Sequence, residues 1–281
     1  MSLWQILFLA CIQGMAELLP VSSSAHVIVA EKLMGLDPTT PEMTLLLVML
    51  HTGTMFAVIV FCWDAWRKTY FSSVQAFRAN AYYVVVATLV TGVVGLALLQ
   101  LIKYVVAGNA PDFEIEHLFG NSRLMATALA AAGMLIIVSS RIPEKGVHNL
   151  SVRSVALIGA VQGLCLPFRG FSRSGATISA GLALGLARRR AEEFSFALAV
   201  ALTPAVIVKE AYRLYKTQTA TAAVHQHGLL QLAGPSVAGM VLSFVAGLFA
   251  LRWLSKWLEE GHWHYFGGYC LLAALVVLWV G

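Results

Sequence analysis

Charge is scarce in this chain. Only 12% of its residues are Asp, Glu, Lys or Arg, against roughly 25% in a soluble domain, so lipid must solvate most of its surface. Cysteine is scarce as well: Cys11, Cys62, Cys165 and Cys270 stand singly in apolar stretches. Without paired spacing they do not read as a disulfide framework or a zinc site, and they are expected to be small core residues. The apolar N-terminal stretch lacks the basic start and small-residue cleavage site of a signal peptide, running instead into Glu17 and Pro20, so it is expected to stay in the mature protein. No linker, low-complexity tract or compact basic domain interrupts the chain. The formal net charge of +5 is spread over short loops, which argues against nucleic acid as a partner and for contact with anionic membrane lipids.

What the chain has is apolar sequence, 59% by residue, in long runs at 43–63, 82–104, 123–140, 194–214, 228–251 and 265–281. Each is close to the ~20 residues of a bilayer span. Two further apolar regions, 2–35 and 154–187, are interrupted midway by polar residues with Pro or Gly. Non-helical backbone at membrane depth is tolerated only where protein or a watery cavity surrounds it, so both are expected to be re-entrant helical hairpins. The fold expected is an all-α polytopic membrane protein of one domain, 1–281. Its two repeats, about 1–140 and about 150–281, would each be a re-entrant hairpin plus three transmembrane helices.

Three spans per repeat is an odd number, so the second repeat is expected to be inverted relative to the first. One set of loops holds Arg67, Lys68, Arg78, Arg141, Lys145, Arg153, Arg188, Arg189, Arg190, Arg252 and Lys256. The alternate set holds Lys32, Lys103, Arg123, Lys209, Arg213 and Lys216, with the acidic run Asp112, Glu114, Glu116. The basic excess marks the cytoplasmic face and puts both termini outside. The hairpin tips would then meet near the midplane, where inverted repeats with broken helices build substrate sites.

The two interruptions are near copies. A shift of 149 lays Gln13-Gly14 on Gln162-Gly163 and Ser23 on Ser172; weaker echoes pair Glu42-Met43-Thr44-Leu45 with Glu193-Phe194-Ser195-Phe196 and Thr52-Gly53 with Thr203-Pro204. In the first, Pro20 disfavours helix at Leu19, and the serines suit the N-cap of a helix resuming near Ser23. His26, three residues on, shares a face with Ser23, an arrangement that allows a serine nucleophile beside a base. Gln13 and Glu17, four apart, share a face too. They offer oxygen ligands to a divalent cation, or Glu17 orients His26.

In the second, Gly170 allows a tight turn, and Ser172-Arg173-Ser174 stands where a half-helix begins. A helix N-terminus is an anion site, and Arg173 adds a forked cation suited to phosphate. Two such N-termini facing one another would hold a polyanion such as pyrophosphate. Ser-x-x-His pairs are common and membrane serines often bond to backbone, and Gln13 with Glu17 would serve equally as a helix cross-link. An intramembrane arginine is harder to explain structurally, since ionisable residues in lipid are functional as a rule. His51 reads as a packing or hydrogen-bonding residue, His225/His227 and His262/His264 as interface residues, and Arg188-Arg189-Arg190 as a cytoplasmic anchor.

Gln13-x-x-x-Glu17, the run Leu19-Pro20-Val21-Ser22-Ser23 with His26, and Gly170-Phe171-Ser172-Arg173-Ser174-Gly175-Ala176-Thr177 together resemble the undecaprenyl-diphosphate phosphatases of the bacitracin-resistance type. The resemblance covers the whole chain in length, motif order and spacing. It implies a multi-pass enzyme of the bacterial inner membrane that hydrolyses undecaprenyl diphosphate to the monophosphate and phosphate, recycling the lipid carrier of cell-wall synthesis. It also implies a site facing the periplasm or exterior and dependence on a divalent cation, Mg2+ or Ca2+. Under it Ser23 matches the nucleophile, His26 the acid/base and Glu17 with Gln13 the metal-associated motif; direct attack by water with His26 as base is equally compatible with the sequence. Arg173 with Ser172, Ser174 and Thr177 matches the phosphate-binding element, to which Ser22 is added.

Three departures stand out. Arg169 stands where the family has Pro and would either shift the turn by a residue or bring an extra cation to the diphosphate; Gln13 replaces a frequent Glu and lowers the charge of any metal site; Ser24-Ala25 replaces Thr-Gly. An isoprenoid diphosphate lipid is the expected partner, and a homodimer is compatible with the chain. The rival expectation is a transporter or flippase of a lipid phosphate, a usual product of inverted repeats and broken helices. A histidine-nucleophile lipid phosphatase fits poorly, because the upstream Lys-to-Arg-Pro motif and the later His and Asp are missing.

Overall fold

The computed structural model describes the backbone of residues 2–37, 40–107, 121–143, 145–220 and 226–280. Asp112, Glu114, Glu116 and His225 lie outside the described residues, as do the side chains of Glu42, Lys209, Arg213, Lys216 and His227. Ten helices are described: α1 (Leu3–Leu18), α2 (Ser23–Leu33), α3 (Pro41–Thr69), α4 (Val74–Ala107), α5 (Ser122–Ser140), α6 (Val152–Leu164), α7 (Arg173–Ala183), α8 (Arg188–Ala220), α9 (Gln226–Glu259) and α10 (Trp263–Val280). Six of them contain stretches long and apolar enough to cross a membrane: Met43–Thr69, Val74–Val105, Ser122–Ser140, Arg188–Val208, Gly234–Glu259 and Trp263–Val280. These coincide with the six expected spans. Outward stripes such as Val85, Leu89, Val93 and Leu96 on α4 are exposed, as a lipid-facing helix requires.

The four short helices form the two broken pairs. Each pair starts from a serine capping box, Ser2 with Gln5 and Ser151 with Ser154. In the first pair Leu19 is extended (φ −67°, ψ 151°), as the following Pro20 demands, and helix resumes at Ser23. In the second, Ser172 caps α7 by accepting from Gly175 N at 3.2 Å. Both α2 and α7 run eleven residues and are followed by a positive-φ glycine, Gly35 or Gly185.

The first helices of the two pairs match at a shift of 149, Ser2 with Ser151, but the second helices match at 150, Ser23 with Arg173 and Gly35 with Gly185. From first helix start to second helix start the second pair is therefore one residue longer, its first helix ending sooner and its break running longer, and Ser23 stands opposite Arg173 where a constant shift placed it opposite Ser172. Packing is reciprocal between the halves: α1 lies on α9 and α6 on α4, while α3 contacts α8 and α5 contacts α10. Close approach depends on matched glycines. A Cβ at Gly14 would stand 2.7 Å from Ser243 O, and one at Gly163 would stand 2.8 Å from Val94 Cβ, the small-residue device of membrane helix pairs. The main core surrounds both breaks, with Leu18, Leu19, Val21, Ile178, Phe194, Phe196, Trp263 and Phe266 buried together.

Candidate active site

The break residues converge on one carboxylate. Glu17, in the last turn of α1, receives Arg173 Nη2 on Oε1 at 2.8 Å and Ser23 Oγ on Oε2 at 2.6 Å. Ser23 and Arg173 are the first residues of α2 and α7, so the starts of both half-helices point side chains at the same group. Gln13, one turn before Glu17 and 2% exposed, donates from Nε2 to Glu17 Oε2 at 3.1 Å. The same nitrogen lies 3.3 Å from His51 Nε2. His51 Nδ1 is 2.8 Å from Leu47 O; a carbonyl only accepts, so Nδ1 carries the proton and Nε2 accepts from Gln13. His51, 3.9 Å from Glu17 Oε2, is therefore part of the cluster and more than packing.

His26 does not face Ser23 in the way the helical spacing suggested. Its Nδ1 is 2.8 Å from Ser22 O and its Nε2 2.7 Å from the Tyr269 hydroxyl of α10, and the two rings stack at 5.6 Å with 11° between planes. The group within hydrogen-bond reach of the Ser23 hydroxyl is Glu17. Ser22 sits at the N-cap of α2 with φ 66°, the one non-glycine residue of positive φ among the described residues. Its hydroxyl makes no cap bond and lies 3.2 Å from Ser24 Oγ. The first N–H groups of α2 are thus left uncapped by its N-cap side chain, a ready anion site.

The hydroxyls expected to bind phosphate in the second break are spent inside the protein. Ser172 caps α7, Ser174 Oγ donates to Leu19 O at 3.1 Å, and Thr177 Oγ1 bonds to Arg173 O at 2.8 Å and Ser195 Oγ at 2.6 Å. At 2, 3 and 1% exposure they present almost no surface to a ligand. Hydroxyls at a helix start readily bond to nearby backbone. Ser174 nonetheless ties one break directly to the other. Arg169, in the second break, is exposed.

This arrangement has the parts for phosphoryl transfer: a hydroxyl held on a carboxylate, a forked cation on that carboxylate, and an uncapped helix N-terminus beside them. The profile of the family described as "Bacitracin resistance protein BacA" matches residues 6–276. The chain belongs to the BacA family. The protein named undecaprenyl-diphosphatase 2 in Acinetobacter baylyi is 63% identical to it over 278 residues, covering 99% of this chain and 98% of that one. Undecaprenyl-diphosphatase 2 of Burkholderia thailandensis and undecaprenyl-diphosphatase 1 of Burkholderia pseudomallei are each 32% identical over 293 residues, covering 99% of this chain and 96% of theirs.

The divalent cation implied by the resemblance to this BacA family finds a poor set of donors. Both Glu17 oxygens are engaged, one by an arginine, and the second position of the motif is the amide of Gln13. Among the described residues no group of three or more His, Cys, Asp or Glu side chains is placed to hold a metal ion. The residues present do not fit a cation site closed by protein ligands.

Proposed function

We propose that this BacA-family chain is a membrane phosphatase that hydrolyses undecaprenyl diphosphate to undecaprenyl phosphate and inorganic phosphate, and so recycles the lipid carrier of cell-wall synthesis. The observation that carries it is the 2.6 Å bond from the Ser23 hydroxyl to Glu17, on a carboxylate also gripped by Arg173. In this mechanism Ser23 Oγ attacks the distal phosphorus and its proton passes to Glu17 Oε2. The bond to the bridging oxygen breaks, and lipid monophosphate leaves with the electron pair. Water then cleaves the phosphoserine, Ser23 recovers its proton from Glu17, and one proton per turnover passes to solvent with the phosphate. Arg173 and the α2 N-terminus offset the charge that grows on the transferred group, the main tool of phosphoryl-transfer catalysis.

His26 takes the water proton at Nε2 in the second step, once the water displaces the Tyr269 hydroxyl that donates there. Ser172, Ser174 and Thr177 shape the second break without touching the lipid. The two halves act as inverted repeats whose broken pairs enter from opposite faces, a reading supported by the reciprocal packing of α1 on α9 and α6 on α4. The loop charges support the membrane topology, and the family resemblance supports a plasma-membrane site open to the outer side. A divalent cation enters as the counterion of the lipid diphosphate and not as a resident of the protein. A carrier of lipid phosphate, the rival reading, has no use for a hydroxyl held on a carboxylate.

The test is phosphate release from undecaprenyl diphosphate by the detergent-purified protein beside Ser23→Ala and Glu17→Gln. Release by the wild type and its loss in both variants is the expected result. A folded wild type that binds the lipid and releases no phosphate overturns the assignment.

A further inference from the structure

Tyr269 belongs to none of the motifs in the two breaks, and it reaches His26 from 243 residues away. It sits in α10, the last helix of the second half, whereas His26 is in α2 of the first. Two contacts join them, the 2.7 Å hydrogen bond from the Tyr269 hydroxyl and the stacking of ring on ring. The protons at His26 follow from its partners. Ser22 O is a carbonyl and accepts only, so Nδ1 must carry hydrogen. Neutral His26 then has its lone pair on Nε2, and the Tyr269 hydroxyl must donate to it.

The Ser22 carbonyl sets the tautomer but not, by itself, the plane of the ring. The Nδ1 bond to Ser22 O depends on a backbone kept at φ 66°, and a single hydrogen bond leaves the ring free to rotate about it. The second contact, at the opposite ring nitrogen, removes that freedom. It also keeps the imidazole turned from Ser23, whose proton has its own acceptor in Glu17. The two steps of the reaction are served by two separate acceptors, with no competition between them for one proton.

We infer that Tyr269 is a positioning residue for His26: its hydroxyl and ring fix the orientation of the imidazole, whose Nδ1-protonated tautomer Ser22 O sets, and the hydroxyl occupies Nε2 until the reacting water takes its place. The inference deepens the proposed function and rests on it for its kinetic consequence, but not for its structural one. An enzyme with this design loses turnover, and not lipid affinity, when the hydroxyl is removed, because the second contact acts on the base and not on the substrate.

Two measurements on the detergent-purified full chain test it. The first is nitrogen-15 NMR of the histidine side chains in wild type, Tyr269→Phe and His26→Gln, the last identifying the His26 signals. Both proteins should show His26 protonated at Nδ1, and Tyr269→Phe should shift the Nε2 signal, which has lost its hydrogen-bond donor. An unmoved Nε2 signal in Tyr269→Phe, or an Nε2-protonated wild type, overturns the inference whatever the activity. The second is steady-state hydrolysis of undecaprenyl diphosphate. Tyr269→Phe should lower kcat about tenfold or more with KM within twofold, on the scale of general-base catalysis, while Tyr265→Phe, four residues earlier on the same helix, should match wild type. Unchanged kcat in Tyr269→Phe, or a change confined to KM, also overturns it. A wild type inactive on the lipid would instead sink the proposed function and leave the NMR result standing on its own.

Discussion

From α1 to α2 the chain crosses the first break in four residues, 19–22, with Ser22 forced to φ 66° and its hydroxyl left out of capping. From α6 to α7 it takes eight residues, 165–172, with Gly170 absorbing the positive φ and Ser172 capping the new helix. The glutamines that open the two motifs diverge in the same way. Gln13 donates to Glu17 and approaches His51, whereas Gln162, 1% exposed, donates to Thr91 at 3.1 Å and fastens α6 to α4. The first break holds strain, an open helix end and a carboxylate. The second is capped, with its positive φ on a glycine, and contributes a single cation to the first. Strain stored in a non-glycine residue costs about 1–3 kcal/mol and persists where surrounding structure enforces it for function.

The contrast can be broken most sharply by removing matched groups. Ser23→Ala or Glu17→Gln should cut kcat for phosphate release by about 1,000-fold or more, the scale of losing a nucleophile or its base. Gln162→Leu should leave kcat within about twofold and lower thermal stability instead, since a lost buried hydrogen bond costs on the order of 1 kcal/mol. Equal losses in both copies would erase the distinction. Arg173→Lys keeps the charge but loses the planar guanidinium whose Nη2 bonds Glu17 Oε1, and kcat should fall about 10- to 100-fold.

Backbone strain offers a smaller and opposite pair of effects. Gly170→Ala puts a side chain at φ 104° and should destabilise the protein by about 1–3 kcal/mol in melts in detergent. Ser22→Gly relieves strain at the cost of chain entropy, so stability should rise or hold, within about 1 kcal/mol. The smallest expected signal is in calorimetric titration with Mg2+ or Ca2+: no stoichiometric heat for the protein alone, and a signal once lipid diphosphate is present. Stoichiometric binding without the lipid would show that Gln13 and Glu17 do form a resident site.

Much of this was legible in the sequence, for definable reasons. The helices and both breaks were visible because runs of apolar residues and Pro or Gly act locally, and Glu17 and Arg173 stood out because charge inside apolar sequence is rare. The partner of Ser23 was misjudged. Residues three apart do share a helix face, but Ser23 is the first residue of α2 and bonds back across the break to Glu17, while His26 bonds back to Ser22 O. His51 and Tyr269 reach their partners across 38 and 243 residues, and no spacing rule spans such distances. The one-residue slip between the copies was hidden as well, because a shift of 149 aligns the glutamines and only the later helix starts reveal 150.

The Glu17–Arg173 bond joins residues 156 apart, and that separation has a meaning for how the protein is made. Ribosomes add about 5–20 residues per second, so roughly 8 to 30 seconds pass between the synthesis of the carboxylate and of its arginine. An unpaired carboxylate inside lipid is held at a cost of several kcal/mol. Until the second half is delivered, the nascent first half must therefore keep Glu17 protonated or in water. The catalytic pocket closes only when translation is more than half complete, and a chain truncated before residue 173 would carry its own signal of incompleteness in an uncompensated acid.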